Sequence, residues 1–160
     1  MVIREATMED LDEIVYVEKE AFTPQEAASR QTLKERLEIY PNHFLLLEEQ
    51  GRVRAYLGGA VTRLDRIRDE LYEDISLHDE RGPYQAFFSL VVLPKYQSLG
   101  YGKTLMKAGI EKAREEGRKG LILTCRKELI SYYEGMGYVN KGVSQSVHGG
   151  ITWYDMRLEF

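Results

Sequence analysis

The chain has 160 residues, enough for one domain and too few for two ordinary ones, so we expect a single domain over 1–160. Its composition is 43% hydrophobic and 30% charged, which is typical of a globular protein that buries a core. The formal net charge of −4 argues against nucleic acid as the main partner, because phosphate binding needs a basic face. No run approaches the roughly 20 apolar residues of a membrane helix, and the N-terminus lacks the apolar core of a signal peptide. We therefore expect a cytoplasmic protein with no membrane partner.

Cysteine and histidine usage narrows the possible chemistry. One cysteine, Cys125, excludes an internal disulfide and a cysteine-based metal cluster. The histidines His43, His78 and His148 have no metal-ligand spacing, so we predict no metal site. Cys125 ends an apolar segment and has no visible histidine partner, which favours a core cysteine over a nucleophile.

The first half of the chain predicts one strand, two helices and a hairpin. Thr7 begins a helix N-cap pattern, and Pro24 interrupts the helical spacing that follows. Glycines at 58 and 59 predict a bulge or the close approach of another backbone. The predicted elements are a strand at 2–6, helices at 8–21 and 25–40, and hairpin arms at 43–50 and 52–64.

The second half predicts two buried strands that flank a helix. The charged segment 65–82 predicts a short helical turn within a loop. A strand, helix and buried strand in succession imply a parallel crossover, whereas the hairpins imply antiparallel pairing. The fold class is therefore α/β with a mixed sheet and helices on both faces. The predicted elements are a strand at 84–93, a helix at 99–116, a strand at 119–125, a helix at 127–137 and strands at 138–147 and 151–160.

The stretch "YQSLGYGK" (96–103) lies between the first buried strand and the following helix. A helix N-terminus presents amides that have no partner within the helix and carries partial positive charge, so it can bind an anion. Gly100 and Gly102 would let a phosphate approach the backbone. The pattern is neither a Walker A loop nor a dinucleotide fingerprint. Taken alone, it also fits a plain connection between a strand and a helix.

Two motifs together resemble those of the GNAT N-acetyltransferase superfamily. Gln97-x-x-Gly100-x-Gly102 resembles its acyl-CoA pyrophosphate loop, and "YYEGMGY" (132–138) resembles its distal tyrosine signature about 30 residues further on. The predicted element order is also that of the superfamily, so the resemblance covers essentially the whole chain. It implies a mixed, mostly antiparallel central sheet of about seven strands with helices on both faces.

A looser likeness exists to the arylalkylamine (serotonin) N-acetyltransferase branch and its microbial relatives. It is carried by four segments, which are 17–22, 76–79, 123–138 and 142–156. This resemblance implies direct transfer of an acetyl group from acetyl-CoA, as co-substrate, to a small-molecule amine such as an arylalkylamine or polyamine. The sequence leaves open whether the protein forms a homodimer.

The resemblance implies a cofactor-binding segment. The backbone of Leu90, Val91 and Val92 would lie beside the pantetheine arm of acetyl-CoA, as an added strand does. The pyrophosphate would lie on the amides that begin at Ser98. The turn residues that we expect at this site are Gln97, Ser98, Leu99, Gly100, Tyr101, Gly102 and Lys103.

Tyr133 aligns with the family tyrosine that donates a proton to the leaving thiolate. The general base is less clear, because the two histidines of the arylalkylamine branch are replaced by Ala86 and Phe88. Ordered water, His148 or Glu26 could remove the amine proton, or deprotonation could occur in solution.

Residues after the first helix would shape the acceptor pocket, and an apolar wall there would suit an aromatic or alkyl tail. The segment begins at Phe22. Trp153 on the last predicted strand is expected to pack in the core or at a subunit contact, with stacking against an aromatic substrate as the alternative. Two alternatives stay open: acetylation of protein lysine or N-terminal amines, and a non-catalytic CoA-binding module. An acidic groove would favour the first, and the missing histidines motivate the second.

Overall fold

A computed structural model describes all residues, 1–160, as nine strands and five α-helices. The strands are β1 Val2–Glu5, β2 Phe44–Glu49, β3 Arg52–Gly58, β4 Val61–Thr62, β5 Tyr84–Ala86, β6 Ser89–Val92, β7 Gly120–Cys125, β8 Val139–Val143 and β9 Tyr154–Glu159. The helices are α1 Leu11–Ala21, α2 Arg30–Ile39, α3 Asp69–Glu73, α4 Tyr101–Glu115 and α5 Ile130–Glu134. The predicted mixed α/β fold is confirmed, but its strands form two sheets of four and five strands rather than one central sheet of about seven. No helix combines the length and the apolar composition needed to cross a membrane.

The contacts divide the chain into two compact units. The first unit comprises Met1–Gly58 and Ser89–Gly109. Its four strands form an antiparallel sheet in the order β1-β2-β3-β6. The predicted hairpin is confirmed, and Gln50 and Gly51 connect its arms with φ angles of 52° and 74°. Two positive φ values are the geometry that matches the twist of a two-residue hairpin.

The core of the first unit lies where α1 and α2 meet the sheet. Fully buried side chains come from both helices and from β2 and β3, including Ile14, Leu33 and Leu46. Tyr40, Phe44 and Tyr56 form a continuous aromatic stack, in which neighbouring ring centroids lie 6.0 and 5.9 Å apart.

The second unit comprises Gly59–Phe88 and Ile110–Phe160. Its five strands follow the order β4-β5-β7-β9-β8. The pair β5 and β7 is parallel, which confirms the predicted crossover, and the other pairs are antiparallel. A Cβ at Gly59 would lie 1.9 Å from Ala86 O, so the predicted close approach of another backbone is also confirmed.

Three predicted elements differ from the structure. The predicted hairpin arm 52–64 is two strands, β3 and β4, which belong to different sheets. The predicted second helix begins at Arg30, not at 25, because Ser29 is its N-cap and its Oγ accepts from Thr32 N–H at 3.1 Å. The predicted strand 84–93 is two strands, because Phe87 and Phe88 interrupt it between β5 and β6. The two pieces belong to different sheets, so a continuous apolar run did not mean continuous pairing.

Candidate active site

Strand β6 is the last strand of its sheet and leaves one edge of that sheet open. The Leu93 N–H donates to Arg54 O at 2.9 Å, which continues the ladder between β6 and β3. Because ladder bonds alternate along an antiparallel pair, Val91 directs its backbone groups toward β3. Leu90 and Val92 direct theirs toward the open edge. Of the three predicted strand residues, two therefore have the orientation needed to bind an extended ligand through its amides.

The turn after β6 has an unusual backbone. One turn of 3-10 helix, Pro94–Tyr96, follows the strand. Ser98 then has a φ of 65° and Gly100 a φ of 86°. A non-glycine residue in this left-handed region costs free energy, and such strain concentrates at functional sites. Gln97 stabilises the turn, since its Nε2 donates to Val92 O at 3.1 Å.

Helix α4 begins directly after the turn and directs its first amides outward. Thr104 is the first residue whose N–H is bonded back into the helix, to Gly100 O at 3.0 Å. The amides of Tyr101 and Gly102 precede it and have no partner within the helix. A Cβ built at Gly100 would have no heavy atom within 4 Å, so the space beside Gly100 is open. The helix dipole adds partial positive charge, and the arrangement can bind a phosphate.

Two tyrosines fix the turn to the first unit's sheet. The rings of Tyr96 and Tyr101 are stacked, with centroids 6.1 Å apart. The Arg54 guanidinium lies 4.5 Å from the Tyr96 centroid, a favourable cation–π distance. The Tyr101 hydroxyl donates to Glu49 Oε1 at 2.5 Å, and this bond raises the pKa of the hydroxyl. These contacts hold the turn without using its amides. Arg54 and Glu49 could not be predicted as part of the site, because neither residue lies in a motif.

Tyr133 lies in α5 of the second unit and is 9% exposed. Gly137, with a φ of 105°, ends this segment and allows Tyr138 N–H to donate back to Tyr133 O at 3.2 Å. The ring of Tyr138 then packs edge-on against Tyr133, and Tyr132 packs against its other side. Burial raises the pKa of the Tyr133 hydroxyl. The phenol therefore stays protonated at neutral pH and can donate a proton.

Four rings of the second unit form an aromatic cluster, which consists of Tyr72, Phe88, His148 and Trp153. The ring centroid of Tyr72 lies 4.7 Å from that of Phe88 and 6.4 Å from that of His148. The ring centroids of His148 and Trp153 lie 6.3 Å apart. His148 is exposed and the other three side chains are half-buried. Part of this aromatic surface is therefore open to a planar ligand.

Hydrogen bonds hold the members of the aromatic cluster in place. The Tyr72 hydroxyl and Thr124 Oγ1 lie 2.9 Å apart. Trp153 Nε1 donates to His148 O at 2.8 Å, which closes the loop between β8 and β9. Asp69 of α3 accepts a backbone N–H of the same loop at 3.2 Å. The rings of the cluster thus come from α3, from the connection between β5 and β6 and from the loop between β8 and β9, and Thr124 of β7 holds Tyr72.

None of the candidates from the sequence is an evident general base. Ala86 is fully buried, and Phe88 packs on a ring. Glu26 is exposed, and its Oε1 accepts from Thr23 Oγ1 at 2.9 Å. His148 is exposed within the aromatic cluster. The roles considered for these residues stay predictions.

Cys125 is 2% exposed at the end of β7, as expected for a core cysteine. Burial raises the pKa of its thiol to about 11. A thiol that remains protonated at neutral pH is a poor nucleophile.

The GNAT acetyltransferase domain family matches residues 10–160 of the chain. The chain therefore belongs to the GNAT family of acetyltransferases. The match includes the turn and α5 along with most of both units.

Known proteins show how widely this fold is used. The GphF GNAT-like decarboxylase in complex with isobutyryl-CoA is 18% identical, with a TM-score of 0.85 over 99% of both chains. The ribosomal-protein-S18-alanine N-acetyltransferase of Escherichia coli is 21% identical, with a TM-score of 0.75 over 99% of this chain and 92% of that one. These likenesses show a shared GNAT fold.

A curated relative, the probable hydrolase YhcX of Bacillus subtilis, is 26% identical over 133 residues. The match covers 79% of this chain and 26% of that protein. The chain thus spans about a quarter of the length of this relative.

Proposed function

We propose that residues 1–160 act as one N-acetyltransferase domain that transfers the acetyl group of acetyl-CoA directly to a primary amine of a small molecule. The observation that carries the proposal is the glycine turn at the start of α4, next to the open edge of β6, in a member of the GNAT family. The outward amides of the turn suit a pyrophosphate, and Leu90 and Val92 suit the amides of a pantetheine arm. CoA ligands occur with this fold, as in the GphF complex.

Catalysis requires a neutral amine, a polarised thioester carbonyl and a proton for the leaving thiolate. Tyr133 is the proposed proton donor, because its buried phenol stays protonated at neutral pH. Its proton passes to the CoA sulfur as the carbon–sulfur bond breaks and the new carbon–nitrogen bond forms.

The aromatic cluster supports an acceptor that carries an aromatic ring, because stacked or edge-on rings attract one another beyond their area of burial. An arylalkylamine meets this requirement, in line with the looser likeness to the arylalkylamine branch. In the first unit, Phe22 is 39% exposed after α1 and offers an apolar surface of its own.

Isothermal titration calorimetry with acetyl-CoA tests the donor. Binding at micromolar concentration is expected, and absence of binding at millimolar ligand would overturn the proposal. A thiol-release assay then tests the acceptor with phenethylamine, tryptamine, spermidine and an alanine-initiated peptide. Turnover of the aromatic amines is expected. Preference for the peptide would instead indicate a protein acceptor, and CoA binding without thiol release would indicate a non-catalytic module.

A further inference from the structure

Asp155 of β9 is a buried carboxylate whose hydrogen bonding is incomplete. The residue is 7% exposed, and its Oδ1 atom is buried without a hydrogen-bond partner. Arg157, two residues further along the strand, pairs instead with Asp65 and Glu159, at 3.5 Å from each. Because an unpaired carboxylate is costly to remove from water, an oxygen of this kind indicates a site for a ligand.

Glu18 of α1 shows how the same chain satisfies a buried carboxylate that has a structural role. It is 4% exposed, and both of its oxygens accept hydrogen bonds. Ala28 N–H donates to Oε2 at 2.7 Å, and the Tyr56 hydroxyl donates to Oε1 at 2.5 Å. Burial alone therefore does not explain why Oδ1 of Asp155 has no donor.

The strand register places Asp155 next to the aromatic cluster. In the antiparallel pair of β7 and β9, Asp155 lies directly opposite Thr124. Directly opposed side chains lie on the same face of a sheet, with Cβ atoms about 5 Å apart. Thr124 Oγ1 is the atom that lies 2.9 Å from the Tyr72 hydroxyl. The carboxylate therefore shares its face of the sheet with Tyr72.

Trp153 reaches the same face from the strand of Asp155 itself. Its carbonyl oxygen accepts from Ser144 N–H at 2.8 Å, which extends the pairing of β9 by one residue. Side chains two positions apart along a strand project from the same face, so the indole lies on the side of the carboxylate. The Arg126 guanidinium lies 5.9 Å from the Trp153 centroid, so a cation can lie against this ring.

The charge around Asp155 favours a cationic ligand. Burial is the main reason that the pKa of its carboxyl is raised. The Ser144 hydroxyl and the charges of Arg66 and Arg157 oppose this rise. The negative charge of Asp65 adds to it. A cation that pairs with the carboxylate would offset part of the cost of burial, whereas a neutral or negative ligand would not.

We propose that Asp155 Oδ1 binds the ammonium of the acceptor amine while the aromatic cluster holds its ring. The inference rests on the proposed N-acetyltransferase function. It assigns the ammonium as the form of the amine that binds, which is the form that predominates at neutral pH. Deprotonation is then a separate step that follows binding.

His148 is the side chain that can open a path to Asp155. Oδ1 is covered in the structure, so an incoming ammonium must displace a neighbouring group. His148 is the exposed ring of the cluster, and its imidazole packs on Tyr72 and Trp153 without a hydrogen bond. Exposed side chains change rotamer on the picosecond-to-nanosecond timescale, so this ring can turn aside readily.

The fluorescence of Trp153 provides a direct test, because it is the only tryptophan of the chain. Three ligands that share a phenyl ring and differ in charge are titrated at neutral pH: phenethylamine, phenethyl alcohol and hydrocinnamate. Saturating CoA is present, since it cannot support turnover. In the wild type, phenethylamine should bind at least about tenfold more tightly than the alcohol. Hydrocinnamate should bind most weakly, because two carboxylates repel.

Asp155→Asn keeps the shape of the side chain and removes its charge. Its affinity for phenethylamine should fall at least about tenfold, whereas its affinity for phenethyl alcohol should change by less than about twofold. Its melting temperature should not fall, because the substitution removes an unpaired buried charge.

Asp65→Asn is the matched control, because it removes an exposed negative charge near Arg157 and leaves Asp155 in place. It should keep the ratio of amine to alcohol affinity within about twofold of the wild type. The melting temperature and the affinity for the alcohol show whether each variant keeps its fold. The order of the three ligands in the wild type tests the charge of the site without any variant.

Equal affinities for amine and alcohol in the wild type would overturn the ammonium site, and so would an unchanged ratio in Asp155→Asn. Tighter binding of hydrocinnamate than of phenethylamine would also overturn it, because the arginines would then dominate the site. These outcomes leave the proposed function intact. Binding of phenethylamine in the expected order without thiol release from any amine would instead overturn the proposed function and leave an amine-binding site without catalysis.

Discussion

The turn after β6 and the segment around Tyr133 represent opposite ways of building a site. The turn presents backbone amides, and its side chains from Gln97 to Leu99 are exposed. The segment around Tyr133 presents one buried phenol that neighbouring rings hold in place. A site made of amides tolerates most side chains but depends on backbone angles. A site made of one side chain depends on that residue alone. The two regions should therefore fail in different ways when mutated.

The largest effect is expected at Tyr133. Replacing it with Phe keeps the ring and its packing but removes the proton donor, so kcat should fall by at least about tenfold. Affinity for acetyl-CoA, measured by calorimetry, should change by less than about twofold. Tyr132→Phe is the control, because it removes a hydroxyl from the adjacent ring, and it should retain kcat. An unchanged kcat in Tyr133→Phe would exclude the proposed acid role.

Substitutions in the turn should weaken the binding of acetyl-CoA. Gly100→Ala forces an L residue to a φ of 86°, which costs about 1–2 kcal/mol, and adds a methyl group in front of the outward amides. We expect the Kd for acetyl-CoA to rise about tenfold, with kcat at saturation nearly unchanged.

Gly117→Ala is the control that separates the effect of backbone strain on stability from the loss of acetyl-CoA binding. Gly117 ends α4 with a φ of 79°, and a Cβ there also meets no atom within 4 Å. Both variants should lose similar stability in urea denaturation, but only Gly100→Ala should lose CoA affinity. If the two variants bind acetyl-CoA equally well, the turn does not hold the pyrophosphate.

A third, smaller effect is expected in the aromatic cluster. Trp153→Ala should raise KM for phenethylamine about fivefold, because it removes a stacking surface worth about 1 kcal/mol. KM for spermidine should change less, since spermidine has no ring. Trp153→Phe keeps an aromatic surface but loses the bond from Nε1 to His148 O, so it separates stacking from loop anchoring. Equal changes in KM for the two amines would contradict an aromatic acceptor site.

Local patterns predicted most of the fold. The hairpin at Gln50 and Gly51, the helix after the turn and the parallel crossover are encoded by residues close in sequence. The break at Phe87 could not be predicted in this way, because a run of apolar residues does not indicate which sheet each residue joins. The start of α2 was also missed, because the capping serine at 29 lies inside a segment of high helix propensity.

Sequence motifs predicted only some residues of the candidate site. Gly100 and Tyr133 carry recognisable patterns, so a resemblance could identify them. Glu18 and Tyr56 carry none, because they lie 38 positions apart in sequence and meet only in the folded chain. A glutamate on the apolar face of a predicted helix was the one available signal. A buried charge of this kind needs partners that the local sequence does not reveal.

The smallest effect concerns Cys125, which is buried near Tyr133 but is given no part in the chemistry. Cys125→Ala should leave kcat within about twofold, because direct transfer needs no thiol nucleophile. The pKa of the folded thiol is about 11, above its ordinary value of 9.0, so between these values the folded state holds more protons than the unfolded state. Stability must then fall as the pH rises through this range. Buried tyrosines add to the same trend, and the difference between wild type and Cys125→Ala isolates the thiol. The urea midpoint of wild type should therefore fall more steeply than that of the variant between pH 9 and pH 11, and parallel curves would place the thiol pKa near its ordinary value.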